Sequence, residues 1–420
     1  MSARVDNKGR KLPNNIYQRK DGRYQVRITV QGKQNTVYCW DLNEAKVELR
    51  KMQEDAYKGS LTQLKSLTLN EWYDKWILTY KKGKLKQRTY NNYINYYNKN
   101  IRNTKLGKMK LHSIKQIHMV QVYKDLAERK KKPLAQSTVR YINTMLGSCF
   151  HQAIANGLIA TNPALGAMMN VNGRKEKKRF ALTKRQEQQF LEYISQGRYA
   201  IYYPMFKILF RTGLRSGELR ALTWKDVDYK DKKIIINKSV NYDILDGSVK
   251  REMYITSPKT ESSIRTLPII NDVVEAFKQQ QELQQLLEIR KDYSIKRFDD
   301  NNKVIGMCSD FVFTTSKGTI ATEESLNRTI KAIIKDYNNK EEKRAKLVKR
   351  EPELLPNFTM HCTRHTYATR AYEIDMKGPS ISRSLGHRNE VVTKSIYTHV
   401  SPEILRRDLQ DAWENRANSY

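Results

Sequence analysis

From Tyr24 to Val30 apolar and polar residues alternate with period two, the pattern of a strand with one buried face. Asp21-Gly22 before it and Gln31-Gly32-Lys33 after it supply turns, and Asn35 to Trp40 reads as the next strand. Asp41 caps a helix with Glu44 at the capping-box position. Leu42, Ala45, Leu49, Met52 and Ala56 give that helix its apolar stripe, and Gly59-Ser60 are expected to end it. The prediction is a small three-stranded antiparallel sheet backed by one helix. The outward face of its central strand carries Arg23, Gln25, Arg27 and Thr29.

Beyond residue 65 the period changes to that of helices. Leu67-Thr68-Leu69-Asn70 leads into Trp72, Trp76 and Ile77, which share a face. Tyr90, Tyr93 and Tyr97 fall at i, i+3 and i+7, as core rather than a stacking platform. Val139, Ile142, Met145, Leu146 and Phe150 make another stripe, and Asn162-Pro163 closes an all-helical block. Asn170 to Arg179 is Gly- and Lys-rich without periodicity and reads as a linker. From Phe180 the pattern mixes. Helices are expected through Phe190 and Ile194, from Met205, and over Val273 to Arg290. Strands are expected at Ile234–Ile236, Glu252–Ser257 and Arg265–Ile269, and the charged run Lys335 to Arg350 reads as an exposed insertion. The remainder is helical, including an amphipathic tail from Ser401 to Tyr420. The fold class is α+β and multidomain, with boundaries at 1–62, 65–170, a 171–179 linker, a mostly helical α+β domain over 180–400, and a 401–420 tail.

Charge narrows the function. The chain has 420 residues, enough for two or three domains, and 78 Lys+Arg against 44 Asp+Glu leave it at +34. Such an excess points to a polyanionic partner, most simply nucleic acid. From Lys81 through Lys124 there is no Asp or Glu, while twelve Lys and Arg residues occur, among them Lys82, Lys84, Lys86 and Arg88. A solvated face normally mixes signs, so this stretch favours phosphate binding. Arg and Gln on the narrow N-terminal ribbon suit a major groove, although polar residues on a solvated sheet face need no function. No stretch approaches the length of a membrane span, and no secretory signal opens the chain. The four cysteines are scattered without a CxxC pair, which fits a reducing cytoplasm rather than a disulfide framework or zinc site.

Of seven histidines, His361, His365, His387 and His399 lie between 361 and 399. His361 and His365 are spaced as helical zinc ligands, but Cys362 stands where a zinc protease needs Glu, and no carboxylate cluster completes a site, so no metal site is expected. Phosphoryl transfer fits better. It needs cations on nonbridging oxygens, an acid for the leaving alkoxide, and a nucleophile. Thr212-Gly213-Leu214-Arg215-Ser216-Gly217-Glu218 places an arginine in a tight turn before a helix. His361-x-x-Arg364 sets an imidazole and a second arginine one helical turn apart. Leu385-Gly386-His387 adds another imidazole, and Tyr397 follows ten residues later.

In this order the boxes at 211–224, 361–369, 385–388 and 397–400 resemble those of the tyrosine recombinases, the phage-integrase family. The resemblance covers roughly 65 to 400. The N-terminal block is similar to the small arm-site-binding domain of integrases from conjugative transposons and temperate phages. The resemblance implies a DNA integrase with arm-site-binding, helical core-site-binding and catalytic domains. Tyr397 would form a 3′-phosphotyrosyl link, Arg215 and Arg364 would hold the nonbridging oxygens, His361 would take part in proton transfer, and His387 would bond the phosphate. Lys259, between two predicted strands, matches the family's lysine at a β-hairpin tip, which protonates the leaving 5′-oxygen. Glu218 would support the Arg215 turn, with His365 and His399 in packing or supporting roles. No cofactor is implied, neither ATP nor metal.

The expected partners are double-stranded DNA at core and arm sites, further copies of the chain as a tetramer on two duplexes working through a Holliday junction, and an excisionase or host DNA-bending protein. The expected location is the bacterial cytoplasm at the nucleoid. Two other readings stay open on sequence alone: a type IB topoisomerase, which shares the chemistry, and a non-catalytic DNA-binding regulator, which explains the charge but not the ordered set ending at Tyr397.

Overall fold

The computed structural model describes residues 4–30, 33–65, 67–169, 171–174, 180–245, 248–258, 263–290, 292–299 and 303–386. The chain divides into two compact units, one of Met1–Leu85 and Thr89–Glu176, the other of Lys86–Arg88 and Lys177–Tyr420. No described helix is long and apolar enough to cross a membrane.

The first unit opens with the antiparallel sheet β1 (Ile16–Gln18), β2 (Tyr24–Val30) and β3 (Lys33–Cys39), with β2 in the centre. Val26 pairs with Ile16 on one side and Val37 on the other, so one face is apolar. Ile16, Tyr24, Val26 and Cys39 pack there against Leu42, Ala45 and Leu49 of α1 (Leu42–Lys65). Asp41 caps α1 as the sequence predicts, accepting from the Asn43 and Glu44 amides at 2.7 and 3.2 Å. Its expected end is wrong: α1 runs through Gly59-Ser60 to Lys65. A glycine inside a helix costs only about 1 kcal/mol relative to alanine, too little to stop it. Ala56 lies outside the described side chains.

The helical part comprises α2 (Leu69–Trp76), a π-helical turn (Ile77–Lys81), α3 (Gln87–Asn100), α4 (Lys105–Lys108), α5 (Gln116–Glu128) and α6 (Gln136–Ala155). Thr68 and Glu71 form the capping box of α2. The tyrosine stripe is core: Tyr97 stacks on Tyr73 at 3.5 Å between ring centres, and Tyr93 on Trp76 at 6.0 Å. The segment expected to be a free linker begins as part of this core. Val171 is buried in it, the Arg174 amide donates to the Leu134 carbonyl at 3.2 Å, and the Arg174 carbonyl accepts from the Gln136 amide at 3.3 Å.

The second unit contains α7 (Lys184–Ile194), α8 (Tyr203–Thr212), α9 (Ser216–Ala221), β4 (Val227–Asp228), β5 (Lys233–Ile236), β6 (Ser239–Ile244), β7 (Arg251–Thr256) and β8 (Arg265–Pro268). It continues with α10 (Asn271–Leu286), β9 (Ile295–Phe298), β10 (Val304–Cys308), α11 (Glu323–Leu347), α12 (Met360–Glu373) and α13 (Gly378–Leu385). Helices α7, α8, α10, α11 and α12 enclose the main core, where Phe190 meets Phe206 and Phe358 edge-on at 5.1 and 4.9 Å. Two small sheets lie in the order β4-β5-β8 and β10-β9-β7-β6. Sequence reasoning missed β4, β6, β9 and β10, which carry charged or exposed residues.

The charged run Lys335 to Arg350 is not an exposed insertion. Its first thirteen residues are the second half of α11, continuing the buried stripe of Leu326, Ile330, Ile333 and Ile334 through Glu341 and Ala345. Glu341 can be buried because Arg350 donates to it at 2.6 Å and the Glu353 amide at 3.0 Å, so its charge is neutralised where a charge count alone suggests solvent.

Candidate active site

Three chain segments converge on the turn that ends α13. The first is the α8–α9 corner. Gly213 caps α8 in the left-handed region at φ 63°, its amide donating to the Leu209 carbonyl at 3.0 Å. A Cβ at this position would lie 2.4 Å from Cδ1 of Tyr367 and 2.8 Å from Cδ2 of Leu385, so the corner is packed directly on α12 and α13. Two residues on, Arg215 takes the N-cap position of α9 in extended conformation. Its amide and its Nη1 donate to Glu218 at 3.0 and 2.7 Å, and its Nη2 donates to the Gly386 carbonyl at 3.0 Å.

The second segment is α12. Arg364 is only 4 % exposed and spans the gap between the α8–α9 corner and the turn that ends α13, donating from Nη1 to the Gly213 carbonyl at 2.9 Å and from Nη2 to the Leu385 carbonyl at 2.6 Å. His361 stands one turn earlier on the exposed first turn of the helix, its ring 4.9 Å from that of His365 and nearly perpendicular to it. The opposite side of α12 fixes it to the chain entering α7: Cys362 Sγ donates to the Phe180 carbonyl at 3.0 Å, and the Leu182 amide donates to Thr366 Oγ1 at 3.0 Å.

The third segment is β8, whose role the sequence reading did not assign. Arg265 grips both oxygens of Glu218, with Nη1 at 3.2 Å from Oε1 and Nη2 at 2.9 Å from Oε2, and its Nε donates to the Ser384 carbonyl at 2.7 Å. Its signal was available: Arg265 occupies the inward register of a strand whose next inward position, Leu267, is apolar. A charge in that slot needs a buried partner.

The electrostatics follow from this packing. Burial pulls the Glu218 carboxyl upward, but the hydrogen bonds and charge of Arg265, then the charge of Arg215, outweigh it and hold it below the ordinary value. Burial, and then the neighbouring Arg215, lower the guanidinium of Arg364 from its usual value, with Glu218 opposing. Guanidinium is so strong a base that Arg364 remains a cation at neutral pH. Three guanidiniums against one carboxylate leave two net positive charges beside the turn at Leu385–Gly386. Gly386 closes α13 in the left-handed region at φ 64°. Lys259, His387, Tyr397 and His399, and the tail expected as an amphipathic helix, lie outside the described residues. The strands flanking Lys259 do not pair with each other: β7 pairs with β6 and β9, and β8 pairs with β5. Among the described residues no group of three or more His, Cys, Asp or Glu is placed to hold a metal ion.

The model described as "Phage integrase family" matches residues 181–403, more than half of the chain. The chain belongs to the phage integrase family. It is a tyrosine site-specific recombinase of the conjugative-transposon integrase type. The "DNA binding domain of tn916 integrase" matches residues 1–58 of the recombinase, and the "Phage integrase, N-terminal SAM-like domain" matches residues 68–127. A tyrosine recombinase XerC-like protein of Caldanaerobacter subterraneus subsp. tengcongensis is 27% identical over 390 residues, covering 90% of this chain and 93% of its own. The transposase of transposon Tn916 from Enterococcus faecalis is 27% identical over 414 residues, covering 95% and 94%. The fold is similar to that of the Tn1549 transposon integrase in complex with a circular intermediate DNA, with a TM-score of 0.65 at 24% identity, covering 83% of this chain and 100% of that one.

Arg23, Gln25, Arg27 and Thr29 alternate with buried Tyr24 and Val26 and so share the face of β2 turned away from α1. Arg23 pairs with Asp21 at 2.7 Å and lies over Tyr38 and Trp40, while Arg27 lies over Tyr17 at 5.9 Å. The face is thus an aromatic and cationic surface, with Trp40 73% exposed. Lys82, Lys84, Lys86 and Arg88 are exposed between the π-helical turn and the start of α3.

Proposed function

We propose that the recombinase cuts and rejoins double-stranded DNA through a 3′-phosphotyrosyl intermediate, and so integrates and excises a mobile element. The observation that carries this reading is the pair Arg215 and Arg364, held on neighbouring carbonyls of the turn from which the chain continues into His387 and Tyr397. In the reaction, Tyr397 Oη attacks the phosphorus, the bond to the 5′-oxygen breaks, and the 3′-oxygen keeps its link. Negative charge grows on the nonbridging oxygens, and two guanidiniums fixed beforehand lower that barrier without reorganising. Lys259 delivers the proton that the departing 5′-oxygen needs, His361 serves proton transfer at the nucleophile, and His387 bonds the phosphate. The tyrosyl ester conserves the phosphodiester's energy, so a 5′-hydroxyl from another duplex reverses the step.

The aromatic and cationic face of β2 is suited to an arm site, with Arg23, Gln25, Arg27 and Thr29 toward the groove. Lys82, Lys84, Lys86 and Arg88 are suited to phosphates near the core site. Assembly as a tetramer on two duplexes, help from an excisionase or host DNA-bending protein, and action in the bacterial cytoplasm at the nucleoid belong to the same proposal. The Tn1549 complex with a circular intermediate DNA supports its DNA partner.

The test is a nicked suicide duplex bearing the element's own end, incubated with the full chain in EDTA without ATP. A protein–DNA adduct on a denaturing gel is expected for the wild type and not for Tyr397→Phe. Binding without an adduct in the wild type would sink the reading in favour of a DNA-binding regulator. Relaxation of supercoils on DNA lacking the element's ends would favour a topoisomerase.

A further inference from the structure

Arg265 is a buried cation that hydrogen-bonds to no candidate catalytic side chain, yet it ties β8 to α9 through Glu218 and to the end of α13 through the Ser384 carbonyl. It holds Glu218 bidentately, donates through Nε to the Ser384 carbonyl at 2.7 Å, and donates through Nη1 to the Ser263 carbonyl at 3.1 Å. Glu218 caps Arg215. Ser384 lies two residues before Gly386, and its hydroxyl also accepts from Tyr367 at 3.1 Å and donates to the Ile381 carbonyl at 2.9 Å. Ser263 lies four residues after Lys259. Both side chains of the Arg265–Glu218 pair are essentially dry, at 5% and 3% exposed.

The charges allocate themselves unequally. Glu218 accepts four hydrogen bonds, two on each oxygen, two from Arg215 and two from Arg265. If Arg265 were absent, a buried carboxylate would have Arg215 as its only cation within bonding reach among the described residues. Arg215 would then form a closed neutral pair, and its second guanidinium nitrogen would be drawn from the Gly386 carbonyl toward Glu218. With Arg265 in place, Glu218 is already neutralised. Its remaining work on Arg215 is geometric, and the charge of Arg215 stays available to a phosphate.

We propose that Arg265 is a positioning residue for strand cleavage: by neutralising Glu218 and tying it to Ser384, it keeps Arg215 both aimed and cationic. This rests on the reading of Arg215 as a phosphate-holding group. It assigns to β8 a part in the reaction rather than in the sheet alone, and it accounts for an arginine where strand packing would favour an apolar side chain. The mechanism also has a signature that simple loss of packing lacks. Removing Arg265 harms the site because it leaves Glu218 uncompensated, so removing the Glu218 charge as well should repair part of the damage.

The experiment measures the single-turnover rate of adduct formation on the nicked suicide duplex, with DNA affinity by gel shift and thermal unfolding of each full-length variant. Arg265→Met is expected to slow the adduct by ~100-fold with DNA affinity kept within about twofold, because Arg215 is drawn onto Glu218 and away from the developing charge. The double variant Arg265→Met with Glu218→Gln is expected to run at least about tenfold faster than Arg265→Met alone. Arg265→Lys, which keeps the charge but not the fork, is expected to lose about tenfold or less. A double variant as slow as Arg265→Met, or an Arg265→Met within about threefold of wild type, overturns the proposal. Should Arg265→Met not fold, Arg265→Lys decides: an ~100-fold loss in a protein that melts and binds DNA as the wild type does overturns it. A wild type that binds the duplex and forms no adduct sinks the parent reading instead.

Discussion

Arg215 and Arg364 donate to adjacent carbonyls of one turn, Arg215 to Gly386 at 3.0 Å and Arg364 to Leu385 at 2.6 Å. They come from helices more than a hundred residues apart in sequence, and a left-handed glycine closes α13 between them and the chain leading to Tyr397. The turn is therefore a shared backbone template that sets the spacing of the two cations. That pre-setting is what an electrostatic catalyst requires, since side chains that must move to meet a charge lose much of their advantage.

Arg364→Lys is expected to damage both folding and cleavage. A lysine ammonium can replace the fork on the Gly213 carbonyl or on the Leu385 carbonyl but not on both at once. One buried acceptor left without its donor costs roughly 1–3 kcal/mol, to be read from denaturant unfolding of the full chain. Adduct formation should fall by about 100-fold or more in the fraction that remains folded. Wild-type cleavage by Arg364→Lys would show that the fork is dispensable.

Gly213→Ala addresses the same corner from the backbone. The residue sits at φ 63°, and the added Cβ would meet Tyr367 at 2.4 Å and Leu385 at 2.8 Å. The conformational and steric costs add to about 2–4 kcal/mol, and the loss should appear in the second unit's unfolding transition while the N-terminal sheet melts unchanged. A substitution with no effect on melting would mean that α8 and α12 can separate freely there.

Acid should loosen the N-terminal sheet through Asp6. Its burial raises the carboxyl's pKa, but hydrogen bonds from the Arg10 amide, Tyr24, the Arg10 side chain and the Lys8 amide outweigh this and hold it down at about 2, against 3.8 ordinarily. A carboxyl depressed in the folded state adds stability that is complete above its unfolded value and is lost as pH falls through the folded one. The sheet's stability should thus decline between about pH 4 and pH 2. Asp6→Asn should flatten that decline while lowering stability at neutral pH. Acid titration of both proteins by circular dichroism checks the sign.

Arg27→Ala tests the outward face of β2. If that face meets an arm-site duplex, removing one phosphate-neutralising cation should reduce the slope of log affinity against log salt by about 0.9. A substitution at Thr29, uncharged on the same face, should leave the slope as it is. Equal slopes for wild type and Arg27→Ala would place the arm contact elsewhere.

Much of the molecule was legible from local pattern. Period-two alternation located β2, capping chemistry located the start of α1, and helical stripes located the cores around Trp76 and Phe190. The candidate residues Arg215, His361 and Arg364 were legible because motif spacing is a property of the chain itself. Where reading failed, the reason was a partner distant in sequence. Lys335 to Arg350 reads as surface until Arg350 and the Glu353 amide are seen to satisfy Glu341. The sequence alone treats Gly59-Ser60 as a stop, although their cost falls below what a continuous helix tolerates.

Sequence alone determined that this protein carries arginines, histidines and a tyrosine in an order that resembles the family's motifs, on a strongly cationic chain, because identity, order and charge need no third dimension. Only the tertiary structure decided that Arg215 and Arg364 share one turn, and that Arg265, an unremarked residue at the start of a strand, stands behind Glu218. A buried charge is stable only where its counter-charge is buried with it, and which residues meet in that way is fixed by packing, not by position along the chain.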